Sequence, residues 1–309
     1  MKNRIVFGTI MIVATVALLW LDYRLQQQEM PTVTIQRTVT LQDPLTGQDA
    51  QQTLSFAHVV TALPLGVVTL LLVGVGYFEV ARMIRSAGTV PLGVTGPLGA
   101  CVLATCPVWL QLVPGLRVGD GLLWVPAVLL PAVFLEQMIV GRTHDAIRRI
   151  GCTLLAIAYL GLGGAMILTV RISFGVPMLV LFLVAVKFAD IGAYFTGKTW
   201  GKHKMIPWLS PGKSWEGLLG GLVVSAVVAT GIVWVFGPER TFALWKAPLF
   251  GLSMCLAGQF ADLCESLLKR SADIKDSGSL VPNFGGVLDI MDSPLIAAPI
   301  ALVLLAIFA

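Results

Sequence analysis

The chain has 309 residues, 56% of them hydrophobic and only 12% charged, about half the charged share of an ordinary soluble domain. Together with a mean hydropathy of +0.85 and apolar runs of spanning length along the whole chain, this excludes soluble globular, disordered, collagen-like and disulfide-scaffold proteins. No period-two alternation supports a β-barrel, so the expected fold class is all-α, a polytopic integral membrane protein. The net charge of +4 comes without a basic patch of interleaved aromatics, and no nucleic-acid partner is expected.

Apolar windows predict about nine spans, near 5–21, 59–78, 92–113, 121–140, 151–170, 176–196, 217–236, 248–268 and 288–309. The first has a basic start and an apolar run to Leu21 without a small-x-small cleavage site, so it reads as a retained anchor. Residues 22–58 form the one long polar segment, where Thr32, Thr34, Gln36, Thr38 and Thr40 alternate as in a short hairpin or extended loop on the outer face. An odd number of spans puts the termini on opposite sides. With the N-terminus cytoplasmic, the inner segments hold 14 of the Lys and Arg residues and the outer ones 6, with Lys187 inside a span. The positive-inside rule therefore fixes that orientation. All five cysteines, Cys101, Cys106, Cys152, Cys255 and Cys264, sit in apolar stretches without metal-ligand spacing and read as packing residues.

Chemistry concentrates in the C-terminal half. An ionisable side chain at membrane depth costs several kcal/mol unless paired, hydrated or bound to a cation, so each one demands an explanation. Lys187, Asp190 and Tyr194 lie three and four apart, on one face of the sixth span. The following loop, from Gly197 to Gly217, mixes Lys198, Lys202, Lys204 and Lys213 with Trp200, Trp208 and Trp215, a composition suited to headgroups and phosphates. Within it Ser210, Pro211, Gly212, Lys213 and Ser214 precede Glu216 at a helix start. That is a phosphate-binding arrangement, although its spacing is not that of a Walker A loop.

On the eighth span Asp262, Glu265, Ser266 and Lys269 line one helical face, with Arg270 and Lys275 just beyond. The ninth span opens with Asp289 and Asp292, again on one face. Two helices thus bring Asp262, Asp289 and Asp292 to one depth at the cytoplasmic boundary. Carboxylates that close repel unless protonated or bridged, so a hard divalent cation is expected, Mg²⁺ before Ca²⁺ where phosphates are also present. A proton relay is the other use of buried carboxylates, and a proton-coupled transporter is the alternative class; neighbouring cations favour phosphate.

From Ser266 to Asp292 the string S-L-L-K-R-S-A-D-I-K-D-S-G-S-L-V-P-N-F-G-G-V-L-D-I-M-D resembles the motif of the phosphatidate cytidylyltransferases, or CDP-diacylglycerol synthases, in outline S-x-x-K-R-x4-K-D-x-G-x-x-x-P-G-H-G-G-x-x-D-R-x-D. The upstream D-I-G-A-Y-F-T-G-K-T-W-G-K-H-K and S-P-G-K-S-W-E-G segments are similar to the same family's other blocks. The resemblance implies transfer of a cytidylyl group from CTP to phosphatidate, in a bacterial inner membrane and with the site facing the cytoplasm. It implies Asp262, Asp289 and Asp292 as metal ligands for Mg²⁺, with room for a second, monovalent or divalent, cation. Lys269, Arg270, Lys275 and Asp276 would complete the catalytic set. Asp190, Tyr194, Lys198, Ser210, Lys213, Ser214, Glu216 and Ser266 would bind substrate. A CTP-dependent transferase or kinase acting on another lipid phosphate or polyprenol would use the same residues, and a homodimer stays open.

The chain departs from the family pattern at Asn283 and Phe284 in place of Gly-His, at Ile290 in place of an arginine, and at Gly212 where lysine is common. Every aspartate and the Lys269–Arg270 pair are kept, so an active enzyme is expected. The domain reading is an anchor helix and external loop over 1–58, helices of unassigned role over 59–175, and the catalytic transmembrane region over 176–309.

Overall fold

The computed structural model describes residues 17–22, 24, 33–42, 49–58, 62–113, 116, 118–140, 143–236, 242–278 and 285–308, with the backbone alone for 33–42 and 49–58. The polar segment after the first span forms the expected hairpin, β1 (Val33–Gln42) paired antiparallel with β2 (Asp49–His58), in a register running from Val33 opposite His58 to Gln42 opposite Asp49. The rest is helical: α1 (Leu63–Ser86), α2 (Thr95–Trp109), α3 (Gly121–Val140), α4 (Ala146–Ala156), α5 (Gly163–Trp200), α6 (Trp215–Phe236), α7 (Lys246–Ser271) and α8 (Leu288–Phe308). One small hairpin, β3 (Lys204–Ile206) with β4 (Ser210–Ser214), joins α5 to α6.

Among the described residues seven helical stretches are long and apolar enough to cross a membrane. One of them, Ala146–Trp200, runs through α4, a π-helical turn at Ile157–Leu162 and α5 for 55 residues. At 1.5 Å per residue that is roughly 80 Å, more than twice the ~30 Å hydrocarbon core. The chain resolves this at Gly175, whose φ of 82° lies where only glycine is at ease, two residues before Pro177. The stretch is therefore two rods, in agreement with the separate spans expected over 151–170 and 176–196. The sequence windows placed the end of the second span at residue 78, but α1 continues to Ser86 and carries Glu79 within its helical length.

Small residues let α5, α6, α7 and α8 approach one another closely. At the centre of the first three, the buried Ser225 hydroxyl on α6 donates between the carbonyls of Ala185 on α5 (2.9 Å) and Gly251 on α7 (2.7 Å). A Cβ on Gly251 would stand 2.5 Å from the Ser225 carbonyl oxygen, and one on Gly192 would meet Val224 at 2.7 Å. In the N-terminal half, the Glu136 carboxylate of α3 accepts the backbone N–H groups of Gly93, Val94 and Thr95 (3.1, 3.1 and 2.7 Å), satisfying the start of α2. A Gly251→Leu variant should unfold in detergent roughly 5–10 °C below the parent, corresponding to about 2–3 kcal/mol of overpacking. Thermal denaturation followed by circular dichroism measures it.

Candidate active site

Three carboxylates meet at the start of α8. The hydroxyl of Ser293 lies 2.9 Å from Asp262 Oδ1 of α7, 3.1 Å from Asp292 Oδ1, and 3.3 Å from Asp190 Oδ2 of α5. A hydroxyl carries a single proton, so it donates to one of these oxygens at a time, and the rest are approaches that like charge resists. Lysines offset part of that repulsion. Lys213 Nζ is 2.9 Å from Asp262 Oδ2 and also donates to the Gln259 carbonyl (3.0 Å), while Lys187 stands 4.0 Å from Asp190.

A second cluster adjoins the first. Lys269 pairs with Glu265 (2.6 Å) one turn earlier on α7 and with Asp289 Oδ1 (3.0 Å) on α8. Asp289 Oδ2 also accepts the backbone N–H groups of Gly286 (2.6 Å) and Ser277 (3.2 Å). Glu265 neighbours both Asp289 and Asp292 and so links the two clusters. Taken together, Asp190, Asp262, Glu265, Asp289 and Asp292 face Lys187, Lys213 and Lys269, which leaves a formal excess of two negative charges.

The β3–β4 hairpin explains how Lys213 reaches this place. Glu216, in the first turn of α6, accepts the backbone N–H groups of Lys202 and His203 (both 3.2 Å) and lies 2.5 Å from His203 Nδ1. It clamps the base of the hairpin. Ser214 is buried and accepts the Gly217 N–H at 3.1 Å, so it caps α6. With the C-terminal end of β4 held, the Lys213 ammonium lies over α7, against Asp262 and the Gln259 carbonyl.

The expected residues divide in two. Asp190, Lys213, Asp262, Lys269, Asp289 and Asp292 are brought together. Arg270, Lys275 and Asp276 lie exposed beside them, and among the described residues none of the three has an ion-pair partner. Tyr194 is 61% exposed, with Lys198 stacked over its ring at 5.7 Å, and neither contacts a carboxylate of the cluster. Ser210 lies in β4 opposite Ile206, and Ser266 is half-buried on α7. Asn283 and Phe284 lie outside the described residues, while Ile290 is half-buried in the first turn of α8.

Of the three expected metal ligands, Asp262 and Asp292 lie together at Ser293 and Asp289 lies beside Lys269. As the side chains stand, no group of three His, Cys, Asp or Glu among the described residues is spaced to hold a metal ion; Asp289 bonds Lys269 and the loop N–H groups, while Asp262 faces Asp190 and Asp292 across Ser293. The donor chemistry at Ser293 nevertheless fits a hard cation, because Asp190 Oδ1 and Glu265 Oε1 are buried without any hydrogen-bond partner. Sequence reasoning missed Glu265, noted only as part of a helical face, and also Ser293. For Glu265 the signal was there: an acid four residues before Lys269, inside an apolar span.

Residues 50–308 match the model of the Cytidylyltransferase family. The chain belongs to that family. It is similar to the phosphatidate cytidylyltransferase of Bacillus subtilis, with 30% identity over 270 residues that cover 85% of this chain and 97% of that one. The phosphatidate cytidylyltransferase of Staphylococcus saprophyticus is 33% identical over 173 residues, 56% of this chain and 65% of the relative. That of Haemophilus influenzae is 37% identical over 129 residues, 40% of this chain and 44% of the relative. The family match extends across α1 to α4 as well as the motif-bearing half, so the helices left without a role in the sequence belong to the same unit.

Replacing Lys213 by methionine removes the cation from Asp262 while keeping the length of the side chain. We expect kcat/KM to fall at least about 100-fold in the Lys213→Met variant, roughly 2.7 kcal/mol of lost transition-state stabilisation. Steady-state kinetics on folded protein tests this.

Proposed function

We propose that this chain transfers the cytidylyl group of CTP to phosphatidate, giving CDP-diacylglycerol and pyrophosphate. The observation that carries the reading is the cluster of carboxylates and lysines gathered from α5, α6's leading hairpin, α7 and α8 at one end of the helices, in a member of the cytidylyltransferase family. The names of the relatives supply the lipid substrate.

The reaction needs little covalent machinery. A phosphate oxygen of phosphatidate attacks the α-phosphorus of CTP, and the bond to the pyrophosphate oxygen breaks. The nucleophile is already anionic, so the protein's task is alignment and relief of charge repulsion. Exposed Arg270 and Lys275 suit the phosphates of CTP arriving from water. Lys213 and Lys269, held in place by Asp262, Glu265 and Asp289, lie deeper, where charge builds up on the transferring and leaving groups. Asp190, Asp262 and Asp292, with Glu265 beside them, would hold Mg²⁺, and Asp289 would orient Lys269. When bound, the ion supplies Lewis-acid stabilisation of phosphoryl oxygens. The acyl chains can stay in the bilayer throughout.

We further propose nine crossings, with the N-terminus and the cluster on the cytoplasmic side of a bacterial inner membrane. The charge distribution over the loops supports this orientation. The pairings between segments assigned to the same side support the alternation of the spans, whichever face is the inner one: Glu79 with Val287 and Leu288, Arg149 with the Val90 carbonyl, and Asp22 with Arg171, where two almost fully buried side chains meet at 2.5 Å. Lys246, at the opposite end of α7 from the cluster, donates to the carbonyl of Phe308. Every one of these contacts joins segments assigned to one face. Gathering the acids at one end also disfavours a proton-coupled transporter, which would use charges at the midplane.

Purified protein given labelled CTP and phosphatidate in the presence of Mg²⁺ should form a labelled liponucleotide. Chelation should abolish it, and Asp262→Asn should lower kcat about 100-fold or more. Label passing to a polyprenol phosphate in preference to phosphatidate would instead assign the chain to another lipid substrate. For the topology, Lys275→Cys in a cysteine-free background should react with an impermeant maleimide only from the cytoplasmic face; labelling from the outer face would invert the arrangement.

A further inference from the structure

One buried side chain of the first long helix reaches the segment that leads into α8. Glu79 on α1 is only 5% exposed, and its carboxylate accepts the backbone N–H groups of Val287 (2.9 Å) and Leu288 (2.8 Å) and the Ser277 hydroxyl (3.3 Å). Those groups belong to the segment before α8 and to its first residue, more than 190 positions away in sequence. Packing against the carboxylate is tight. A Cβ on Gly278 would stand 2.5 Å from Glu79 Oε1, and one on Gly286 would stand 2.5 Å from Oε2, so the two glycines let the chain wrap around it. An acid buried at this depth without a cation as its partner is costly unless hydrogen bonds to the charged form replace the lost water. Free N–H groups at the start of a helix supply them.

The same short segment is laced from its other side by Asp289, which accepts from Gly286 and Ser277 and pairs with Lys269. Two carboxylates thus bracket residues 277 and 286–288. Glu79 sets where α8 begins, and the next turn of that helix carries Asp292 and Ser293, the group around which Asp190 and Asp262 gather. We propose that Glu79 is a positioning residue for the transfer reaction, fixing the origin of α8 and through it the placing of Asp289, Asp292 and Ser293. It touches neither substrate directly; its effect is on geometry. The inference uses the reaction proposed above, and a displacement of reacting groups by about 1 Å can cost on the order of 100-fold in rate.

Glu79→Gln keeps the shape and one acceptor oxygen but turns an N–H₂ toward the N–H of either Val287 or Leu288, which bond different carboxylate oxygens. In the full-length protein, assayed with CTP, phosphatidate and Mg²⁺, we expect kcat to fall roughly 30-fold or more while the KM for CTP stays within about threefold. Hydrogen exchange of the peptide covering 285–293 should speed up at least about tenfold, with the peptides of α6 unchanged. If Glu79→Gln does not fold, Ser277→Ala removes one donor and leaves the backbone in place; it should lower kcat about three- to tenfold with the same split from KM. A kcat above a third of the parent's for Glu79→Gln, a change confined to KM, or unaltered exchange over 285–293 would overturn the proposal, as would full activity of Ser277→Ala in the fallback case. Were the parent itself inactive on CTP and phosphatidate, the substrate assignment would fall, and the exchange measurement would still decide whether Glu79 holds the start of α8.

Discussion

Carboxylates cannot be gathered inside a membrane-embedded helix bundle without something to hold them, and the arrangement of this protein follows from how that demand is met. Asp190, Asp262 and Asp292 approach one hydroxyl, with two lysines at hand, and Glu265 and Asp289 share a third. Each lysine in turn needs its own support. Lys213 lies where it does because Glu216 and Ser214 fix the C-terminal end of a five-residue strand, and Lys269 because α7 presents it one turn from Glu265. The glycines and Ser225 that bring the backbones of α5, α6 and α7 together serve the same end, since side chains as short as aspartate meet only if their helices nearly touch.

Much of this was legible in the order of residues. Ionisable groups stand out against apolar spans, and the spacing of Asp262, Glu265 and Lys269 or of Asp289 and Asp292 assigns each set to a helical face without any structure. The hairpin over 33–58 and the break between the fifth and sixth spans were legible for the same reason, because alternation and the Gly175–Pro177 pair are local signals. Pairing between helices is not local. Nothing in the neighbourhood of Asp289 distinguishes a ligand from an acceptor of loop N–H groups, and nothing near Glu216 tells that it folds back on Lys202 and His203. Glu79 lies one residue past the apolar window that ends at 78, so hydropathy alone puts it in a loop, whereas the helix runs on to Ser86.

Tyr194 and Lys198 lie a turn or more beyond Asp190 on α5. Their spacing from Asp190 gives a shared helical face but not depth, and Tyr194 is 61% exposed with Lys198 over its ring. Trp200, Trp208 and Trp215 are exposed beside them, which suits a belt at the headgroup layer. Aromatic and basic residues in this loop therefore serve two different environments: Lys213 is committed to Asp262, while the others meet lipid or water.

The order in which the chain leaves the ribosome gives the last helix a particular burden. Asp190 and Asp262 are made, and must be accommodated in the bilayer, before Ser293, Asp289 and Asp292 exist. Until then only Lys187 and Lys213 stand against them, while Glu79 waits on α1 with no helix start to receive it. Insertion of α8 therefore does more than add a final span. It closes the polar interior of the bundle, gives the Glu79 carboxylate its N–H partners, and brings Asp289, Asp292 and Ser293 to Asp190 and Asp262 in the same step.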